Sequence, residues 1–532
     1  MRLLRRLANV IATGSVLAAA GCGGGGGGEA PPLFPAAVTA QDLVAVVYDD
    51  ALTQLPRLSL ADVYGRGEAS VDALVIADGG VIDDLAWSPD HSRLAVLAQP
   101  DGVLDDILYV VEPLTGQVTA VSGPQPADSY VDAFAWSPDS SHLAFTRNPV
   151  GGDPIFVVRA DGSGRIEVTG PAVPGGGVST FDWSPDSTRL AFRGDVETQG
   201  LQELFVVNRD GSGRVKVSGA IVAGGGVGDF RWSPDATRLA VNGPLVTAGV
   251  FELFTVHADG SGTRARVHPN LPTGGDVLRF TWAPNGSRLA YIADQGTDEV
   301  FELFSSLPDG TGNVKPSGSI VAGGDVEGDF AWSPDGARIA FAADRVTDDV
   351  RELFTAPGDA SAAPVKVSGP LVASGDVGGD AGLTSEHFAW SPDSTRIAYV
   401  ADQEVDHAQS VYVTSAASAT AVRVSPTPNG LTFANSLTWS PDSARVVFSL
   451  NVIGGGPFVA TVAGPSQPFV PSEPAFLSEP FRPLSFAGDR LIVEFNADAS
   501  DVNDVRSYDL VTRAEVLVAA PDAEPNRSLK IE

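Results

Sequence analysis

All eight tryptophans of this chain occupy the same position in one recurring phrase. With few departures the phrase reads Phe/Leu-x-Trp-Ser-Pro-Asp-x-x-Arg-Leu/Ile-Ala. Its copies carry Trp87, Trp136, Trp183, Trp232, Trp282, Trp332, Trp390 and Trp439. Successive spacings are 49, 47, 49, 50, 50, 58 and 49 residues. A fixed period of this length marks stacked supersecondary units, none of which buries its apolar surface alone.

The unit from Phe330 to Pro370 shows what each copy folds into. Phe330-Ala331-Trp332-Ser333 alternates bulky with small and reads as a strand. Ser333-Pro334-Asp335-Gly336 is a turn, because Pro pre-sets φ and Asp bonds its own backbone. Arg338 to Ala342 is a second strand, Asp344 to Val350 a polar loop, Glu352 to Thr355 the start of a third strand, and Pro364 to Ser368 the fourth. Four short antiparallel strands with apolar side chains on both faces need a neighbour on each side. Radial stacking supplies both, so the sequence predicts an all-β chain folded as a β-propeller of four-stranded antiparallel blades. The repeating indole is expected to wedge between adjacent blades.

The phrase Trp-Ser-Pro-Asp-Gly-x-x-Ile-Ala-Phe, with Glu-Leu-Phe and an Asp-Gly turn after it, resembles the TolB-type, WD-like propeller repeat over about residues 80–450. The resemblance implies a propeller. TolB itself is similar to a propeller preceded by an α/β domain, for which no room is expected before Leu43, so an envelope role of the Tol–Pal kind is not carried over.

A ninth copy is expected at Leu484 to Val493, with Phe486 in place of Trp. Leu43 to Tyr48, Arg57 to Val63 and Val71 to Ile76 read as the last three strands of a unit whose first strand is missing. Ser528 to Glu532 is the candidate for that strand, closing one ring of eight to ten blades by pairing the chain ends. Two smaller propellers are the alternative.

The start of the chain reads as a targeting segment. Arg2, Arg5 and Arg6 precede an apolar stretch from Leu7 to Ala20 and the run Ala19-Ala20-Gly21-Cys22. This is similar to a bacterial lipoprotein signal, in which Cys22 is lipidated and becomes the new N-terminus. Ala19 stands where that family prefers Leu. Glycines 23–28 and Pro31-Pro32 then form a tether. The expected organisation is residues 1–21 signal peptide, 22–40 lipidated cysteine and tether, and 41–532 propeller. No later apolar run reaches the roughly 20 residues a spanning helix needs, so anchoring through Cys22 in the cell envelope is expected. Gly23 favours the outer membrane, on its periplasmic side or at the cell surface.

Without the leader, 31 basic side chains face 66 acidic ones, a net −35. Such a surface opposes nucleic acid, whose phosphates need basic patches. Within a blade, the first-to-second and third-to-fourth turns are short and uniform. The second-to-third loops and interblade links, on the opposite face, are longer and are where binding residues collect. Asp294 and Asp298 recur there as Asp344 and Asp348 and as Asp402 and Asp406, while Asp195 keeps only the first member. Three readings fit these carboxylates: a solvated acidic rim, a calcium-stiffened rim, and a docking surface for a basic partner. Their spacing matches no calcium-loop consensus, and no resident cofactor or metal is expected.

Catalysis lacks a visible constellation. The residues three before each Trp are Asp84, Ala133, Thr180, Asp229, Arg279, Asp329, His387 and Ser436. The six histidines lack ligand-like spacing, and no Gly-x-Ser-x-Gly elbow occurs. The sequence therefore points to a non-catalytic, lipid-anchored propeller that binds a protein, peptide or glycan in the envelope. A propeller lyase or hydrolase acting on polysaccharide or peptide at the channel mouth is the alternative.

Overall fold

The computed structural model describes residues 38–531 apart from 40–42, 50–55, 63–67, 71–80, 101–105, 124–128, 149–152, 379–386, 427–433, 451–456, 462–466, 469–481, 488–489, 497–502, 510–514 and 520–529. Among the described residues, 39 strands form ten antiparallel sheets, nine of four strands and one of three. Each sheet follows chain order, apart from the one that joins the two chain ends; that sheet, with Leu43–Asp49, is blade 1, and blades 2 to 9 are those whose first strands end at Trp87, Trp136, Trp183, Trp232, Trp282, Trp332, Trp390 and Trp439, with blade 10 beginning at Arg482–Ala487. In blade 7 the strands are Val326–Trp332, Arg338–Ala343, Glu352–Pro357 and Val365–Lys366. Blade 6 has three, Val277–Trp282, Leu289–Ala293 and Glu302–Ser306, its fourth reduced to a single bridge between Ser305 and Val314.

Strand alternation sends apolar side chains to both faces of every sheet. In blade 6, Leu289, Tyr291 and Ala293 join a buried cluster with Leu253 and Val267 of blade 5. Ala290 and Ile292, the residues between them, join a cluster with Ile339 and Phe341 of blade 7. The same division recurs at the interfaces from blades 1 and 2 through blades 8 and 9. Seven tryptophans are buried at these seams, and Trp87 is half-buried. Each buried indole donates Nε1–H to the carbonyl of the residue just before the preceding blade's tryptophan: Trp136 to Ala86, Trp183 to Ala135, Trp232 to Asp182, Trp282 to Arg231, Trp332 to Thr281, Trp390 to Ala331 and Trp439 to Ala389, at 2.9–3.4 Å. A buried Trp removes on the order of 150–250 Å² from water. At about 25 cal/mol per Å² that is roughly 4–6 kcal/mol of transfer free energy, an upper value.

The propeller closes on itself. Lys530–Ile531 pairs antiparallel with Leu43–Asp49, placing Val46 opposite Ile531 and Val47 opposite Lys530. The strand pairing Pro56–Asp62 on its other side is Glu68–Ser70, earlier than the Val71–Ile76 segment that the sequence suggested and that lies outside the described residues. The expected ninth phrase forms the strands Arg482–Ala487 and Arg490–Asn496.

Turn chemistry repeats as closely as packing. In blade 2 the Asp90 carboxylate accepts from Ser88 Oγ at 2.7 Å and from the Ser92 backbone N–H at 3.0 Å, while Ser88 Oγ accepts from Arg93 N–H at 3.0 Å. The residue after each turn Asp (Asn in blade 6) sits at positive φ, and Ser140, Ser187, Ser394 and Ser443 use that position to reach back. Their hydroxyls accept from the Asp90, Asp139, Asp335 and Asp393 N–H groups of the blade before, at 2.9–3.0 Å. The Glu of Glu-Leu-Phe is buried and pairs with a base on the fourth-strand segment: Glu203 with Lys216, Glu252 with Arg266, Glu302 with Lys315 and Glu352 with Lys366.

Trp282→Phe keeps most of the apolar contact but removes the indole donor to the Arg231 carbonyl. It should lower unfolding stability by about 1–3 kcal/mol, read as a drop in urea midpoint with the strand signature in circular dichroism retained.

Candidate functional site

First strands run from the interblade link to the Ser-Pro-Asp turn, so their opening residues stand on the long-loop face. The register there slips by one residue in blades 2, 3, 4, 6 and 9, making Asp83, Asp132, Ser179, Leu278 and Asn435 the extra residues of bulges. A bulge re-aims the extra side chain. These residues lie four before each Trp, one position from the set selected by sequence. Nothing in the sequence separates the two sets, because the extra residue becomes visible only against the second strand. Of the selected set, Asp84 accepts from Leu85 N–H at 3.1 Å, Asp229 pairs with Arg231 at 3.6 Å, and His387 is buried.

The recurring acidic pairs of the second-to-third loops divide into two kinds. Asp294, Asp344 and Asp402 are buried. Asp294 Oδ1 accepts from Asp276 N–H at 2.5 Å and its Oδ2 from Glu299 N–H at 3.1 Å. Asp344 accepts in the same way from Asp325 and Asp349, and Asp402 from Asp376 and His407. Half-buried Asp195 does the same for Gly177 and Gly200, both at 2.9 Å. The link carboxylates then reach the blade before: Asp276 accepts from Phe251 N–H at 2.6 Å, Asp325 from Phe301 at 2.6 Å and Asp376 from Arg351 at 2.7 Å. Each first-position Asp thus knots its own loop to the link, and the link to the neighbouring blade. Burial raises the Asp325 pKa, and Asp344, Glu302 and Asp348 add to the rise against the Phe301 hydrogen bond. Burial also raises that of Asp402.

The second-position residues Asp298, Asp348 and Asp406 are exposed at the loop tips, with Glu197, Glu299, Asp349 and Glu404. Asp298 and Asp348 lie against Gly274 and Gly323, whose φ values of 95° and 91° and lack of Cβ leave them that space. Apolar side chains share this surface. Among the described residues eight large ones are exposed, and six of them, Val81, Val246, Phe251, Leu278, Val346 and Val405, belong to the loops and strand starts of this face. No three His, Cys, Asp or Glu side chains among the described residues converge in a way that would hold a metal ion.

Between blades 3 and 4 the bulge residues Asp132 and Ser179 line a cleft of about 170 Å³, together with Asp153, Thr180, Phe134 and Phe181. Asp153 precedes the third strand Ile155–Arg159, and its carbonyl accepts from Val178 N–H at 3.3 Å. In blade 2 the residue making that link bond is Asp106, and in later blades it is Gln202, Phe251, Phe301 or Arg351. Burial, and then the nearby Asp132, push the Asp153 carboxyl above its ordinary pKa. Cys22 lies outside the described residues, as do residues 379–386 in the longer interval of 58 residues between Trp332 and Trp390.

One polar substitution sits at the end of the fourth strand. A hydroxyl there accepts from the third-strand N–H in most blades, as Ser218 does from Leu204 at 3.2 Å and Ser368 from Leu353 at 3.1 Å. In blade 5 the acceptor is His268 Nε2, taking Leu253 N–H at 3.1 Å, with Nδ1 2.6 Å from the Pro269 carbonyl. The ring is therefore neutral, Nδ1 donating, and burial lowers its pKa to about 4.

No family model matches the chain, and no curated protein matches it. Solved structures similar to it include TolB from Acinetobacter baumannii, at 17% identity over 51% of this chain and a TM-score of 0.28. The match spans 62% of that TolB chain. An oligogalacturonate lyase in complex with manganese is 16% identical over 70% of this chain and 96% of its own, at a TM-score of 0.35. A eukaryotic initiation factor is 11% identical over 79% of this chain and 95% of its own, at 0.45. None of these lends a residue role or an activity to this chain.

Asp344→Ala orphans two N–H groups and should cost about 1–3 kcal/mol for each, whereas Asp348→Ala at the exposed tip should stay within about 0.5 kcal/mol; paired urea titrations separate them. His268 stays neutral in the folded chain below pH 6.5, where the unfolded chain takes up a proton. Its stabilising contribution is complete above pH 6.5 and is lost as pH falls toward 4. The melting-temperature difference between the native chain and His268→Ser should shift against the native chain across that window and level off below it.

Proposed function

We propose that this chain is a non-catalytic, lipid-anchored propeller that serves as a binding scaffold in the bacterial cell envelope and takes its partner on the long-loop face. The observation that carries this reading is the unequal distribution of exposed apolar side chains, six of eight on that face. A rim that offers apolar tips beside carboxylates suits a protein or peptide, since such patches mark interaction sites. The opposite face is spent on turns whose polar groups already bond one another and the next blade.

Anchoring rests on the leader and Cys22, and no helix among the described residues is long and apolar enough to cross a membrane. Among the described residues, a serine beside a histidine supports a binding role. Ser141 Oγ lies 2.6 Å from His142 Nδ1 and 2.6 Å from Asp139 Oδ1. Burial opposes its charge, but Ser137, Ser141 and Arg209 hold the Asp139 pKa at about 2, so that carboxylate accepts the serine proton. His142 Nδ1–H must then donate to Ser141, the reverse of what general-base activation requires. Thr188, Thr237 and Thr395 repeat the Ser141 bond in other blades, which makes it turn chemistry.

A triple variant, Asp298→Lys with Asp348→Lys and Asp406→Lys, should lose the partner that the native chain retains from detergent-solubilised envelopes, while Cys22→Ala should leave the membrane fraction. Turnover of a polysaccharide or peptide by the purified chain, with no partner retained, would sink the proposal.

A further inference from the structure

Blade 3 reverses a charge that the next four blades hold fixed. Eleven residues after the tryptophan, the other seven tryptophan copies carry Ala98, Gly194, Gly243, Ala293, Ala343, Ala401 and Leu450. Blade 3 carries Arg147 at that offset from Trp136. In blades 4 to 7 the small residue lies opposite buried Glu203, Glu252, Glu302 or Glu352, each paired with a base. In blade 3 the residue opposite is Pro154, whose carbonyl accepts from Arg147 N–H at 3.1 Å. A buried acid is gone and a buried guanidinium stands across from its place.

Arg147 is only 8% exposed, and its guanidinium lies 4.7 Å from the centre of the Phe156 ring. Its Nη2 donates to the Ser122 carbonyl of blade 2 at 2.7 Å, and Arg165 Nη1 donates to the same oxygen. Two later seams put a single guanidinium on the corresponding carbonyl, Arg214 on Thr169 at 2.6 Å and Arg264 on Ser218 at 2.9 Å. Each of those has an acid beside it, Glu197 at 3.5 Å from Arg214 and Glu252 near Arg264. At the seam of blades 2 and 3 there are two guanidiniums, and among the described residues no carboxylate pairs with either. Asp153 lines the cleft toward blade 4, on the other side of the sheet. Glu167, opposite Phe156 as Lys216 is opposite Phe205, is exposed.

Arg147 Nε is also buried with no acceptor. A guanidinium keeps its proton in a protein, so it cannot escape burial by becoming neutral. A buried charge needs a counter-charge, and a carbonyl shared by two cations supplies only a partial one. Burial, and then Arg165, work against the charged form of Arg147. Arg165 is itself exposed, so solvent reaches the pair from its side.

We propose that Arg147 and Arg165 form an oxyanion site at the seam of blades 2 and 3, taking one carboxylate or phosphate group. Two planar forks converging on one point suit oxygens carried on a single centre, which accept charge-assisted bonds from both. Occupancy needs no partner on the rim, so it is independent of the scaffold role.

Calorimetric titration of the whole chain with inorganic phosphate, and separately with acetate, tests the site at an ionic strength held constant with sodium chloride. One or both anions should bind one to one; acetate alone marks a carboxylate site and phosphate alone a phosphate site. The anion that binds should also raise the melting temperature of the native chain. Arg147→Ala, which installs the residue of blades 2, 6, 7 and 8, should weaken binding at least tenfold and remove that rise. Arg214→Gln, at the seam of blades 3 and 4, should leave binding unchanged. A native chain that binds neither anion, or binding retained in Arg147→Ala, would overturn the proposal. So would binding that appears only in Glu167→Gln, since Glu167 would then be the counter-charge. The native titration stands even if a variant misfolds.

Discussion

The bond from each buried indole to the carbonyl beside the preceding tryptophan is the interaction on which the rest of the architecture depends. It joins first strand to first strand across seven successive seams, and it is made where the apolar faces of two blades meet. A phenylalanine supplies the same burial without the donor, and a turn hydroxyl supplies a bond without the area. Tryptophan does both, with the largest apolar area of any side chain, and the repeat spends every tryptophan of the chain on that single position. Ten sheets exceed the four to eight blades of most propellers. A wide ring of this kind would expose a strand edge wherever it failed to close, and the antiparallel pairing of Lys530–Ile531 with Leu43–Asp49 covers the edge between the chain ends.

Much of this was legible before any coordinates. The period, the four strands, the turn aspartates and the closing strand follow from local rules, namely alternation, turn chemistry and the need to cover both faces of a sheet. Val71 to Ile76, a strand by composition, lies outside the described residues, and the pairing described beside Pro56–Asp62 is that of Glu68–Ser70. The acidic loops were the harder case. Asp294 and Asp298 carry the same side chain four residues apart, and only the approach of the interblade link distinguishes a carboxylate that accepts two backbone N–H groups from one at a solvent-facing tip. The bulges were invisible for the same reason, since register belongs to a pair of strands.

That division of the carboxylates changes what the strong negative charge means. Part of it is structural, held at blade seams where Asp276, Asp325 and Asp376 meet Asp294, Asp344 and Asp402 through backbone N–H groups. Glu203, Glu252, Glu302 and Glu352 are neutralised by bases within their own blades. What remains exposed to a partner is the set at the loop tips, Asp298, Asp348 and Asp406 among them.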